Sequence, residues 1–166
     1  MEPKLTRRAL LSGVLAAPAL PSERSPARIL IAGSGEATFA ERLAPVELMR
    51  GLKRLRPGRE IRFAEASAEP GPDELLVRLS IEAARFRNPE SYEIAARGRT
   101  LSLVGAGPQA LLYAVFDFLE RQGAFFGIDG ENYPLDARAQ LRLPPEGASW
   151  LATPRFASRG LLPWPD

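Results

Sequence analysis

Asp129 and Glu131 flank Gly130 in the run GIDGENYP, close enough along the chain to serve one site. Two carboxylates held side by side are the acid–base or nucleophile pair of glycosidic-bond hydrolysis. With Asn132 they also offer oxygen ligands for Ca²⁺, although the spacing matches no EF-hand loop. The simpler reading is a turn in which the Asp129 side chain caps nearby backbone. A second feature is Gly105-Ala106-Gly107-Pro108-Gln109-Ala110, a G-x-G-x-x-A run between an apolar stretch and a helical one. Such a loop lets backbone N–H groups meet a pyrophosphate at a helix N-terminus. Asp129 or Glu131 stands at about the separation expected of a ribose-binding acid. Gly33-Ser34-Gly35 fails the same motif, because Thr38 occupies the third glycine position. A third feature is the basic run Arg50, Lys53, Arg54, Arg56 and Arg59, which reads as a solvated helix face and end. The chain has no Cys and no His. Disulfides, thiolate nucleophiles, Cys- or His-ligated zinc and imidazole catalysis are therefore excluded.

The elements that must position these residues follow from hydrophobic period. Arg28 to Ala32 (RILIA) predicts a short buried strand, and a helix follows with Phe39, Leu43, Val46, Leu52 and Leu55 near one face. Pro45 predicts a kink or a fresh start there, and Pro57-Gly58 ends the helix. Glu60 to Ala64 is a second strand, and Glu74 to Ile81 a third, half-buried by its alternation. Ser91 to Arg97 and Thr100 to Val104 alternate on either side of Gly98-Arg99, which predicts a two-residue type II′ hairpin. Because that strand belongs to a hairpin rather than a parallel βαβ unit, no dinucleotide is expected at Gly105 to Ala110; dinucleotide binding is the third reading. From Pro108 to about Gln122, Leu111, Val115, Phe118 and Leu119 form one helical stripe, and Gly123 stops it. Phe125 to Ile128 is another short strand. Residues 129–155 are irregular, with a candidate strand at Gln140 to Leu143. The pattern predicts an α+β fold: a two-layer sandwich of a mixed, largely antiparallel sheet with two main helices.

The first residues have the layout of an export signal. Lys4, Arg7 and Arg8 precede the apolar Ala9 to Ala17, and Ala17-Pro18-Ala19 supplies small residues for cleavage. Thr6-Arg7-Arg8-Ala9-Leu10-Leu11 is similar to the bacterial twin-arginine signal. The apolar stretch is too short to span a bilayer, and without Cys there is no lipoprotein anchor. Residues 1–19 are thus a signal peptide and 20–27 a linker, implying a periplasmic or extracellular protein with no stable membrane anchor. Beyond the signal the chain carries 19 basic and 19 acidic residues. That balance lacks the concentrated basic excess of a nucleic-acid binder.

Residues 91–126, SYEIAARGRTLSLVGAGPQALLYAVFDFLERQGAFF, resemble the small domain preceding the catalytic barrel in the β-N-acetylhexosaminidases of glycoside hydrolase family 20 and in the α-glucuronidases. Tyr92, Ile94, Leu101, Leu103 and Gly105 match its hairpin; Ala110, Leu111, Tyr113, Ala114 and Leu119 match its helix. The resemblance covers about residues 27–155 and places the domain at 28–153. It implies a domain without catalytic residues, cofactor or metal, and a Gly105–Gly107 turn that binds no nucleotide. Pro154-Arg155-Phe156-Ala157-Ser158-Arg159-Gly160 resembles the entry to the first barrel strand of these hydrolases, which makes 154–166 the start of a (β/α)₈ barrel. By that resemblance Arg159 contacts sugar hydroxyls, a task suited to its planar fork of donors. The acid that follows this motif in hexosaminidases is replaced by Pro163-Trp164-Pro165-Asp166. The expectation is therefore an exported, non-catalytic accessory domain of a glycoside hydrolase, truncated at its barrel, with that barrel as partner in cis. A free-standing exported carbohydrate-binding or interaction module is the alternative.

Overall fold

The computed structural model describes residues 26–33, 39–134 and 140–154, and the apolar runs of the sequence become its strands. In chain order these residues form β1 (Arg28–Ala32), α1 (Phe39–Leu55), β2 (Glu60–Ala64), β3 (Glu74–Ile81), a 3₁₀ turn (Ala83–Arg85), β4 (Tyr92–Arg97), β5 (Thr100–Gly105), α2 (Pro108–Arg121), β6 (Phe125–Gly127), β7 (Gly130–Asn132) and β8 (Ser149–Ala152). Six strands make one sheet in the order β2-β1-β3-β5-β4-β8, while β6 and β7 pair separately. The fold is α+β, a mixed sheet with two main helices. Its expected antiparallel character belongs to β5, β4 and β8 and to the β6–β7 hairpin. The other half, β2-β1-β3-β5, is parallel. The reason is the connections: α1 carries the chain back over one face between β1 and β2, and residues 65–73 carry it back without a helix between β2 and β3.

Strand alternation sorts side chains between the two faces. Ile29, Ile31, Leu75, Val77, Leu101 and Leu103 face both helices and build the main core with Leu48, Leu52, Leu111 and Phe118. On the opposite face Leu30, Ala32 and Leu76 form a smaller cluster under Ala64 and Ala68, so the β2–β3 connection is what covers them. Arg78 fastens that connection, donating to the carbonyls of Ala66 and Ala68 and to the Glu69 carboxylate.

Several expectations need correction. α1 runs from Phe39 to Leu55 with Pro45 inside it, so no fresh helix starts there. Its buried stripe is Ala44, Leu48, Leu52 and Leu55, and Phe39 and Val46 lie exposed. Gln140 to Leu143 is not a strand. Leu141 and Leu143 pack on the core, but the backbone of Arg142 is paired by a side chain: buried Gln122 donates from Nε2 to its carbonyl at 2.9 Å and accepts its N–H at 2.8 Å. The missed strands are β7, which pairs with β6, and β8, which puts Trp150 opposite Ile94 and under the Arg121 guanidinium at 4.3 Å. Trp150 is therefore part of the fold.

The two-residue loop and the glycine stop of α2 stand where the sequence places them. Arg97 pairs with Thr100 across a two-residue loop, with Gly98 at φ 55°. α2 ends in a Schellman arrangement: Ala124 N–H donates to the Leu119 carbonyl and Gly123 N–H to that of Glu120, and Gly123 takes φ 103°.

Candidate functional site

At Gly105 to Ala110 glycine serves packing. A Cβ on Gly105 would lie 2.8 Å from the Cα of Leu111, so the end of β5 and the first turn of α2 approach through it. The Ala106 N–H is already given to the Ser91 carbonyl at 2.9 Å. β5 is parallel to β3 on one side and antiparallel to β4 on the other. The strand after α2 belongs to the separate two-stranded sheet. The loop is thus outside any βαβ unit, the arrangement that a dinucleotide fingerprint requires.

Asp129 and Glu131 do not form a carboxylate pair with one task. Asp129 sits in the exposed turn between β6 and β7. Glu131 is held by α1 instead: Arg50 donates to both its oxygens at 2.6 and 3.0 Å, Arg54 donates at 2.8 Å, and the Tyr133 hydroxyl at 3.1 Å. The Arg50 contact, with further help from Tyr133, holds its carboxyl below the ordinary carboxylate value. A group so neutralised is poorly suited to proton transfer near neutral pH. Among the described residues no group of three or more Asp, Glu, His or Cys is arranged to hold a metal ion.

The arginines of the basic run are likewise engaged within the molecule, while Lys53 is exposed. Arg50 and Arg54 hold Glu131, Arg56 is buried with an N–H on the Leu55 carbonyl, and Arg59 donates to the Pro26 carbonyl at 2.6 Å. Arg159, with the signal at 1–19 and the barrel entry, lies outside the described residues.

What the structure does assemble is a surface on the outer side of the helix layer. Phe39 and Val46 stand seven residues apart, on the helix side opposite the Leu48–Leu52 stripe. They are 73% and 49% exposed. The hairpin lies over the same layer: Phe126 meets Phe116 of α2 edge to face at 5.0 Å and Tyr133 at 6.0 Å, and Arg54 stacks on Tyr133 at 5.2 Å. Its tip leaves Phe125 and Ile128 exposed, Ile128 at 90%. The sequence held one signal for this surface. α1 carries apolar residues on two opposite sides, and packing on the sheet buries only one of them. It held no signal for the Arg50–Glu131 pairing, which joins residues 81 apart.

Beside this surface, Tyr92 lines a pocket of about 340 Å³ with Tyr113, Phe116, Asp117 and Thr153. Burial, and then the Asp117 charge, push its hydroxyl pKa up to about 12. Across the sheet, a groove of about 560 Å³ has Ser102, Ala95 and Ser149 in register on its floor and Arg78 and Glu93 at its walls. No helix among the described residues is long and apolar enough to cross a membrane.

No family model matches the chain, and no curated protein matches it. Among solved structures the chain is similar to a GH138 enzyme targeting pectin rhamnogalacturonan II, at 14% identity and a TM-score of 0.45, over 56% of this chain and 13% of that one. It is similar to CpGH84D at 14% identity and a TM-score of 0.45, over 64% of this chain and 19% of that one. The likeness to these glycoside hydrolases is weak and partial, and this chain spans less than a fifth of either.

Proposed function

We propose that this chain is the exported, non-catalytic accessory domain of a glycoside hydrolase and that it supports a downstream (β/α)₈ barrel in cis. The observation that carries the reading is the apolar outer face of the helix layer. A two-layer fold that worked alone would gain from polar residues there, yet Phe39, Val46, Phe125 and Ile128 are exposed. We read these exposed apolar side chains as part of an interface. The family-like run at residues 91–126 supports the same reading, since its hairpin and helix coincide with β4, β5 and α2. In this reading the signal at 1–19 is removed on export. The barrel begins near Pro154, Arg159 reaches sugar hydroxyls at its mouth, and the catalytic carboxylates belong to the barrel.

The test is sedimentation velocity on residues 20–166, with and without Phe39→Asp and Ile128→Asp. The wild type self-associates through the uncovered face, and the double variant is monomeric with an unchanged circular dichroism spectrum. A wild type that stays monomeric at every concentration overturns the interface. A free-standing carbohydrate-binding module is the second reading, favoured by the polar groove on the other face of the sheet. It requires retention of residues 20–166 on an immobilised polysaccharide.

A further inference from the structure

The β6–β7 hairpin is joined to the rest of the molecule in an unusual way. It shares no ladder with the six-stranded sheet, and a two-stranded hairpin alone is marginal in water. Two of its apolar side chains, Phe125 and Ile128, point to solvent and hold nothing down. What keeps it across the helices is Phe126 between Phe116 and Tyr133, Tyr133 itself under Arg54, and the one carboxylate that both α1 arginines grip, Glu131.

Glu131 accepts from two arginines of α1, and Arg50 and Arg54 stand one helical turn apart so that both reach it. The charged and titratable groups that meet it are these two and Tyr133, and Glu47 engages the same Arg50 at 2.5 Å. That last contact matters for what happens without Glu131. Arg50 keeps a carboxylate partner and Arg54 is half exposed, so no buried charge is orphaned. The core beneath, built on Leu48, Leu52, Phe118 and Leu119, contains neither arginine.

We propose that the hairpin is a strap latched by the charge of Glu131. Protonating or removing that one carboxylate frees residues 125–132 from α1 and leaves the two-layer fold intact. Release carries Phe125 and Ile128 off the helix layer and so parts them from Phe39 and Val46 of α1 in one step. The sign of the pH dependence follows from the direction of the shift. Because the folded-state value is depressed below 4.5, the latch is complete above pH 4.5 and is lost as pH falls through the lowered value. The device is independent of what covers the surface.

Amide hydrogen exchange on the whole chain, wild type and Glu131→Gln, tests it. Loss of a charge-assisted contact predicts that exchange across residues 125–132 accelerates about tenfold in the variant, while α2 and β5 keep their protection. In the wild type the Phe126 ring resonances, shifted by Phe116 and Tyr133, move reversibly toward free values as pH falls below 4.5. In Glu131→Gln they stand there at every pH. Unchanged hairpin protection in the variant overturns the latch. An equal loss across α2 and β5 also overturns it, because Glu131 would then support the fold as a whole.

Discussion

Gln122 shows how much one buried side chain can decide. Its amide takes both backbone groups of Arg142, the exchange a neighbouring strand would otherwise make, and so holds an irregular segment against the core. Gln122→Ala leaves those groups without partners, and the expected loss is about 1–3 kcal/mol in urea unfolding, with faster exchange confined to residues 140–145. Stability equal to wild type would show that the segment is held by Leu141 and Leu143 alone. Tyr92 makes a second prediction at this scale. Its hydroxyl is pushed up to about 12 by burial and by Asp117, so the neutral form is favoured in the folded state. The associated stability is complete below the unfolded value near 10 and is lost as pH rises through 12. Ultraviolet titration of the wild type shows a late tyrosinate step that Tyr92→Phe lacks; titration of that step near 10 would contradict the burial.

Among the elements, α1 separates what was legible in the sequence from what was not. β1, β2 and β3 could be read because short apolar runs are bounded by Pro and Gly, and the β4–β5 hairpin because alternation brackets Gly98-Arg99. The burial face of α1 was not legible. Its apolar residues lie on two sides, and only the position of α2 selects the Leu48–Leu52 stripe. β8 was missed because its alternation spans four residues and its partner β4 precedes it by more than 50 residues. Gly51 carried no local signal either, being a glycine in a helix interior. Its reason is the helix crossing: a Cβ there would lie 2.5 Å from Leu119 Cδ1, and Leu119 is fully buried. Gly51→Ala gains about 1 kcal/mol of helix propensity but forces an overpacked contact costing about 1–3 kcal/mol. The expected outcome is net destabilisation in thermal unfolding, and a more stable variant would show that the helices have room to part. The candidate site was legible only in its parts: Glu131 was visible as a carboxylate, and its arginines were visible as a basic run. Their meeting depends on the hairpin folding back over α1.

For the whole molecule, the two faces of the sandwich differ in what they leave uncovered. The sheet face is closed in part by the β2–β3 connection, and beyond it lies the groove over Ser102, Ala95 and Ser149, with Leu151 exposed beside it. The helix face leaves Phe39 and Val46 exposed among Arg42, Arg50 and Lys53, and the hairpin lies over it. β8 completes the sheet at Ala152, and the Ser91 hydroxyl donates to Thr153 Oγ1 at 3.1 Å. A chain ending at Thr153 is therefore expected to keep its thermal midpoint, whereas one ending at Ala148 loses Trp150 from beneath Arg121 and melts several degrees lower. An equal drop for both would place residues after Thr153 in the core. We propose that this domain serves a catalytic barrel and does no hydrolysis itself. The most direct measurement expresses the entire reading frame containing this chain and compares its turnover of nitrophenyl glycosides with that of residues 20–166 alone. Turnover by the whole product is expected, reduced by Val46→Asp with Ile128→Asp, and none by residues 20–166. Turnover by residues 20–166, or a whole product without hydrolytic activity, would contradict it.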